Sequence, residues 1–133
     1  MILETSFLID LMKGRREAVA LAEALDRIGE PAYLPAPALF ELWFGAGRAA
    51  KRREEVERIE SLVASFDVMV MNDDDAREAG LLQARLRGKG RTMGTVDIMV
   101  AGIAKARGQT LVTGDRDFSA VAAEISLRRY REG

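Results

Sequence analysis

The feature of this 133-residue sequence that most constrains its fold is an alternation of short apolar segments with longer segments of helical periodicity. Strand-helix alternation is typical of a parallel sheet covered by helices on both faces. A chain of this length accommodates one domain. We therefore expect a single α/β domain over residues 1–133, with a mostly parallel central sheet flanked by helices. The predicted strands cover residues 1–3, 32–34, 67–71 (a buried strand) and 110–113.

Capping residues set the predicted helix bounds. Thr5 and Ser6 are suitable caps for a helix beginning near Phe7, and Gly29 and Gly108 are suitable helix ends. The other predicted helices cover residues 17–28, 37–47, 52–65, 73–87 and 95–107, before a final short helix and strand.

Composition restricts the chemistry. The chain has no Cys and no His, which excludes disulfides, thiolate nucleophiles, structural zinc sites and imidazole catalysis. Its 20 basic and 21 acidic residues rule out a polycation that coats nucleic acid non-specifically. The apolar run from Met1 to Met12 is interrupted by Glu4 and Asp10 and lacks a basic leader, so we expect a cytoplasmic protein without signal peptide or membrane span.

Acidic residues recur at the ends of the predicted elements. Glu4 follows the first strand, Asp115 and Asp117 follow the strand at 110–113, Asp97 lies in a helix first turn, and Glu41 lies in an apolar helix turn. Ligands of parallel sheets collect beyond the carboxyl ends of the strands. Clustered carboxylates repel one another unless they hold a cation, and oxygen ligands favour Mg²⁺ or Mn²⁺ over zinc. The pattern indicates a divalent-metal site.

Each acid also has a simpler interpretation. Glu4 and Asp97 are suitable negative charges for helix N-termini, Asp115 and Asp117 are common turn residues, and Glu41 is compatible with a solvent-facing position.

Two other groups are interpreted as structural. The acids at 73–75 are expected to cap a helix, and Glu54, Glu55, Glu57 and Glu60 to form a solvated helix face. Phe40, Trp43 and Phe44 are expected in the core or in a partner groove rather than as a base-stacking platform.

Three segments carry a resemblance over nearly the whole chain: MILETSFLIDL at residues 1–11, PALFELWFGA at 37–46 and GTVDIMVAGIAKARGQTLVTGDRDF at 94–118. They resemble the PIN-domain family, in particular the VapC toxins of type II toxin-antitoxin systems. The resemblance implies an Mg²⁺- or Mn²⁺-dependent endoribonuclease in which a metal-activated water hydrolyses RNA.

The resemblance also implies roles for individual residues. Glu4, Asp97 and Asp115 are expected to bind metal, Glu41 to bind it or to orient the water, and Asp117 to be an adjacent catalytic acid, with Ser6 and Thr113 as polar companions. The first acid is normally Asp in this family, and Glu4 adds one methylene, which predicts either a compensating backbone shift or an impaired site.

Partners follow from the same resemblance. It implies a VapB-type antitoxin whose segment packs in an apolar groove and brings a basic side chain to the acids, and a homodimer. The RNA is expected to lie across basic residues that are otherwise ordinary solvated positions, namely Arg48, Lys51, Arg52, Lys89 and Arg91.

Two alternatives stay open at this point. One is a catalytically impaired PIN-like module that binds RNA or protein. The other is a phosphoacceptor receiver domain, which requires an Asp after a central strand, a position available to Asp73, and a Lys after a late strand, where this chain has Gly114 and Asp115.

Overall fold

The computed structural model describes residues 1–131, so the predicted domain of residues 1–133 extends two residues beyond them. Within them, a five-stranded parallel sheet has the strand order β3-β2-β1-β4-β5. The strands are β1 (Ile2–Leu3), β2 (Tyr33–Pro35), β3 (Asp67–Met69), β4 (Leu111–Thr113) and β5 (Leu127–Arg129). This architecture confirms the predicted α/β class.

Six α-helices and one 3₁₀ helix in residues 1–131 connect these strands. They are α1 (Thr5–Met12), α2 (Arg16–Ile28), α3 (Ala36–Arg48), α4 (Arg52–Ser65), α5 (Asp73–Gly88), α6 (Thr95–Arg107) and the 3₁₀ helix Arg116–Val121. Most predicted bounds hold to within one residue, because Gly29 and Gly108 end their helices in the left-handed conformation.

Two local predictions were wrong. The first helix begins at Thr5, because the Glu4 side chain caps it by accepting from the Ser6 backbone N–H at 3.0 Å. The strand at 67–71 is shorter and is not buried: β3 lies at the sheet edge and pairs only with β2, so Asp67 and Val68 are exposed.

The central strands β1 and β4 form the middle of the core. Ile2, Leu3, Leu111 and Val112 are fully buried. The pairing of Leu3 with Val112 brings the carboxyl ends of both strands to the same edge of the sheet. The residues that follow these strands therefore lie side by side.

Helix α6 is held against α5 by very close packing. A Cβ added at Gly102 would lie 2.5 Å from the Cβ of Ala79 and 2.7 Å from its Cα, so only glycine fits there. This contact fixes the position of α6, whose first turn carries Asp97. No helix in residues 1–131 is long and apolar enough to cross a membrane.

Candidate functional site

Glu4 is the centre of a hydrogen-bond network at the carboxyl edge of β1 and β4. Its Oε1 accepts from the hydroxyls of Thr113 and Ser6, each at 2.5 Å, and its Oε2 accepts from the Ser6 N–H. Burial raises the pKa of the Glu4 carboxyl, and these hydrogen bonds act in the opposite direction. Three donors hold this buried carboxylate in one orientation.

The same network continues into the turn after β4. The Gly114 N–H donates to the Ser6 hydroxyl at 3.0 Å, and the Asp115 N–H donates to the Thr113 hydroxyl at 3.0 Å. Ser6 and Thr113 thus connect the two turns that carry Glu4 and Asp115.

Asp115 and Asp117 lie at the start of the 3₁₀ helix. The Oδ1 atom of Asp115 accepts from the Asp117 N–H at 2.9 Å, so the turn role considered for Asp115 is present. Asp115 is half-buried and Asp117 is exposed. Capping uses one carboxylate oxygen of Asp115 and leaves the other available at the sheet edge.

The pKa of the Asp97 carboxyl is well above its usual range. Burial and the negative charges of four other acids raise its pKa from 3.8 to about 6; those acids are Glu41, Glu4, Asp115 and Asp117. Asp97 makes no capping hydrogen bond in α6. A favourable interaction with the helix N-terminus would lower its pKa, so repulsion and burial dominate its environment.

Glu41 reaches the group from α3. Its Oε1 accepts from the Thr5 hydroxyl at 2.7 Å, and its side chain is half-buried. Glu41 is therefore not simply a solvent-facing residue. Thr5 is a site neighbour that the sequence analysis missed, although its position next to Glu4 was a usable indication.

The five acids lack a compensating cation. Within residues 1–131, none of Glu4, Glu41, Asp97, Asp115 and Asp117 forms an ion pair. In the same range, no three acidic side chains are placed closely enough to hold one metal ion between them. Mg²⁺ usually keeps several waters and binds one or two carboxylates, so the oxygen donors and the unbalanced charge fit such an ion.

The predicted RNA-contact residues are all exposed: Arg48, Lys51, Arg52, Lys89 and Arg91. The guanidinium of Arg48 lies 5.5 Å from the centre of the Phe44 ring, and Arg52 donates to the Gly47 carbonyl at 2.8 Å. Lys89 lies near enough to Glu124 to help lower the pKa of that carboxyl. In the described part of the chain, none of these cations pairs with a site acid.

The α3 aromatic residues are not in the core. Phe40, Trp43 and Phe44 are 61%, 41% and 56% exposed. The core interpretation of these side chains was therefore wrong, and the partner-groove interpretation stays a prediction.

One of the acids predicted to cap a helix also has an ion-pair partner that the sequence did not indicate. Asp75 forms a capping box with Asn72, but it is fully buried and accepts two hydrogen bonds from the Arg107 guanidinium. The prediction of a helix cap is confirmed for Asp75, and its burial against Arg107 was not predicted. The acids Asp73, Asp74, Glu54, Glu57 and Glu60 are exposed, whereas Glu55 of the predicted solvated face is half-buried and pairs with Arg58 at 2.9 Å.

Tyr130 and Arg129 also reach the site, and the sequence analysis missed both. The Tyr130 hydroxyl lies 2.6 Å from the Asp10 Oδ2 and 3.1 Å from the Ser6 carbonyl. Burial and the hydrogen bond to Asp10 raise the pKa of Tyr130 to about 12. These contacts join residues more than a hundred positions apart, so no local pattern indicated them.

The receiver-domain alternative fails on the geometry. Asp73 follows β3, which is an edge strand, and its side chain is exposed at the start of α5. The acids that do converge follow the central strands β1 and β4 or lie on α3 and α6.

Fold and site together define a parallel α/β domain with a carboxylate cluster at the carboxyl edge of its sheet. The PIN-domain family model matches residues 1–124. Ribonuclease VapC5 of Mycobacterium tuberculosis is 31% identical over 98% of this chain and 93% of its own length. The chain therefore belongs to the PIN-domain family, where its relatives include VapC proteins.

Two further comparisons agree. The tRNA(fMet)-specific endonuclease VapC of Shigella flexneri is 34% identical over 62% of this chain, and the match spans 64% of that protein, less than two thirds of either. The solved structure of VapBC-5, a member of the VapBC family of toxin-antitoxin systems from Mycobacterium tuberculosis, is 28% identical with a TM-score of 0.74. That alignment covers 98% of this chain and 96% of the other.

Proposed function

We propose that this chain is an Mg²⁺- or Mn²⁺-dependent endoribonuclease and the toxin of a VapBC-type toxin-antitoxin pair. The observation that carries the proposal is the convergence of five carboxylates that have no cation partner in residues 1–131. The relatives support RNA as the substrate, since one is named a ribonuclease and another a tRNA-specific endonuclease.

The proposed roles follow from the placement of each side chain. Asp97 and Asp115 present carboxylate oxygens to the cation, and the buried Glu4 carboxylate acts on it through a bridging water. Glu41, which accepts a hydrogen bond from Thr5, orients the attacking water. Asp117 adds negative charge beside Asp115, and Ser6 and Thr113 keep Glu4 in place.

The bound cation supplies charge neutralisation at the scissile phosphate and a water of lowered pKa. The chain has no His, so the activation of a ribose 2′-hydroxyl by an imidazole is excluded. We therefore expect products with 5′-phosphate and 3′-hydroxyl ends.

The test is cleavage of an unstructured RNA by purified protein with Mg²⁺, with Mn²⁺ and with EDTA, followed by analysis of the product ends. We expect cleavage only with the divalent ions. Cleavage that persists in EDTA, or products with 2′,3′-cyclic phosphate ends, contradicts the proposed chemistry.

Five exposed basic residues are proposed to bind the RNA backbone. Arg48, Lys51 and Arg52 lie at the end of α3 and the start of α4, and Lys89 and Arg91 lie in the loop before α6. That loop is held in place by Gln83, whose amide exchanges two hydrogen bonds with the Met93 backbone at 2.7 and 3.2 Å. Phosphate contacts of this kind position the RNA without reading its sequence.

A VapB-type antitoxin is the proposed partner. The similar structure VapBC-5 belongs to the VapBC family of toxin-antitoxin systems, and this chain has an apolar groove next to Glu41. A groove lined by Ile9, Met12, Leu42 and Ala46 adjoins Glu41, and exposed Phe40 and Trp43 lie on the same helix as Glu41. An antitoxin segment in this groove is placed to bring a basic side chain to the acids. We also propose a homodimer, which light scattering of the purified chain tests.

One observation favours a second function, a catalytically impaired module that binds RNA or protein. Glu4 is only 3% exposed, and its carboxylate already accepts hydrogen bonds from Ser6 and Thr113. A purely structural acid has the same environment. RNA binding without metal-dependent cleavage is the result expected of such a module.

A further inference from the structure

The segment from β5 to Arg131 runs beside the acidic site. Its register with β4 pairs Arg129 with Thr113, so the segment reaches the sheet edge where Asp115 lies. Two side chains of this segment contact the main chain of the turns that carry the acids.

Arg129 contacts the turn after β4. Its guanidinium nitrogens donate to the carbonyl oxygens of Gly114 and Asp115 at 3.3 and 3.4 Å. Arg129 makes these two contacts although its side chain is exposed to solvent. Arg128, its exposed neighbour, forms no side-chain hydrogen bond or ion pair among residues 1–131.

Tyr130 contacts both turns at once. Its hydroxyl shares one proton between the Asp10 carboxylate and the Ser6 carbonyl, at 2.6 and 3.1 Å. A Cβ on Gly114 would meet the Arg131 Nε first and would lie 2.9 Å from the Tyr130 hydroxyl and 3.0 Å from its ring, so both side chains lie against the Gly114 main chain. The ring edge also packs on Phe7, with the centroids 5.0 Å apart.

Asp10 holds the Tyr130 hydroxyl in this place. Asp10 is 5% exposed on α1, and its carboxylate also pairs with Arg15 at 3.3 Å and Arg131 at 3.4 Å. Arg15 and Arg131 hold the Asp10 carboxylate in place, and this carboxylate in turn orients the Tyr130 hydroxyl.

The junction under Tyr130 is the point where the two acidic turns meet. The Ser6 hydroxyl accepts from the Gly114 N–H and donates to the Glu4 carboxylate. A movement of Ser6 relative to Gly114 therefore displaces Glu4 from Asp115. We infer that Tyr130, assisted by Arg129, is a positioning residue that sets the separation of the Glu4 and Asp115 carboxylates and thereby the affinity for the divalent cation. This inference rests on the proposed metal-dependent function.

The first test compares Tyr130→Phe with Tyr33→Phe, a matched control, because Tyr33 is the only other tyrosine in the sequence and lies on β2. Mn²⁺ affinity is measured by calorimetry, and kcat and KM are measured on one RNA. Changes in groups that support metal ligands cost about ten- to a hundredfold in affinity. We expect Tyr130→Phe to weaken Mn²⁺ binding about ten-fold and to lower kcat, with KM for RNA and the Tyr33→Phe values unchanged.

The second test compares Arg129→Met with Arg128→Met, two exposed positions at which folding is not at risk. We expect weaker Mn²⁺ binding for the first variant only. A Tyr130→Phe variant that melts earlier but binds Mn²⁺ like the parent overturns the inference. If that variant does not fold, unchanged Mn²⁺ affinity in Arg129→Met overturns it. A parent that neither binds Mn²⁺ nor cleaves RNA refutes the proposed function itself, whereas an active parent with unaffected variants refutes only the positioning role.

Discussion

Asp75 and Asp97 occupy equivalent places in two helices that pack together, and their environments are opposite. Each lies in the first turn of its helix, Asp75 in α5 and Asp97 in α6. Asp75 is fully buried, caps α5 with Asn72 and accepts two hydrogen bonds from Arg107. Asp97 is half-buried, has no ion pair within residues 1–131 and faces four other acids.

The comparison separates an acid that serves the fold from one that serves the site. A buried carboxylate is tolerated when hydrogen bonds and an opposite charge compensate its desolvation, as Arg107 does for Asp75. A cluster of carboxylates without compensating cations of the protein is typical of a functional site, because a bound divalent cation can supply the missing positive charge. Replacing Asp75 should therefore lower the stability of the fold, whereas replacing Asp97 should weaken metal binding.

The largest expected effect on folding is at Asp75. Replacing it in Asp75→Ala removes the acceptor of the Asn72 N–H in the capping box and leaves the Arg107 guanidinium without its carboxylate partner, which should lower the free energy of unfolding by about 3 kcal/mol. Urea unfolding measures this. Asp74→Ala is the control, because Asp74 is exposed and has only a 3.9 Å pair with Arg77, so its cost should be within about 0.5 kcal/mol. Equal stabilities for the two variants would contradict the structural role.

Asp97→Asn should give the reverse pattern. Without metal, removing one charge relieves repulsion, so the melting temperature in EDTA should be unchanged or higher. With Mn²⁺, the parent should gain more thermal stability than the variant, and cleavage by the variant should fall at least about 100-fold. A variant that melts far below the parent in EDTA would show Asp97 to be a structural helix-terminal residue.

Glu4→Asp tests an acid that has both a structural and a functional role. Glu4 caps α1, accepts hydrogen bonds from Ser6 and Thr113, and lies among the acids of the site. The donors from Ser6 and Thr113 fit the longer side chain, so the backbone is already adapted to glutamate. Shortening the side chain should reduce cleavage and Mn²⁺ affinity about ten-fold, or about 1.4 kcal/mol. Faster cleavage by Glu4→Asp than by the parent would instead support the impaired module, with Glu4→Ala as the reference for complete loss of the carboxylate.

The sequence predicted those features that depend on local patterns. The bounds of α4 and α6 and the positions of Glu4, Asp97 and Asp115 at element ends all follow from periodicity, caps and strand order. The convergence of strand ends is a property of parallel sheets, so an acidic edge was predictable before any contact was known.

Features that depend on distant partners were not predictable. The segment at 67–71 has the apolar composition of a buried strand, but burial depends on its place in the sheet, and β3 lies at the edge. The ion pair between Asp75 and Arg107 was not predicted, because Arg107 lies 32 residues away along the chain. Tyr130 meets Ser6 and Asp10 across 124 and 120 residues, and neither contact leaves a local pattern.

The smallest expected effect is a pH dependence of stability without metal. The folded-state pKa of Asp97 is raised from 3.8 to about 6, so the folded protein binds this proton more tightly than the unfolded chain does. The stabilising contribution of the protonated Asp97 to the free energy of unfolding is fully present below pH 3.8 and is lost as the pH rises through 6. In EDTA, the stability difference between Asp97→Asn and the parent should therefore grow between pH 5 and pH 7.5. A constant difference over that range would contradict the raised pKa.

The central claim is that the unpaired acids at the edge of β1 and β4 bind a divalent cation. Calorimetric titration of Mn²⁺ into the parent and into Asp97→Asn, at pH 7.5 and pH 5, tests it most directly. We expect the parent to bind at pH 7.5 and to bind about ten-fold more weakly at pH 5, where about one tenth of Asp97 is ionised if its pKa is about 6. Binding by Asp97→Asn should be weak at both pH values. An absence of Mn²⁺ binding to the parent at pH 7.5, or equal binding by both proteins, would contradict the claim.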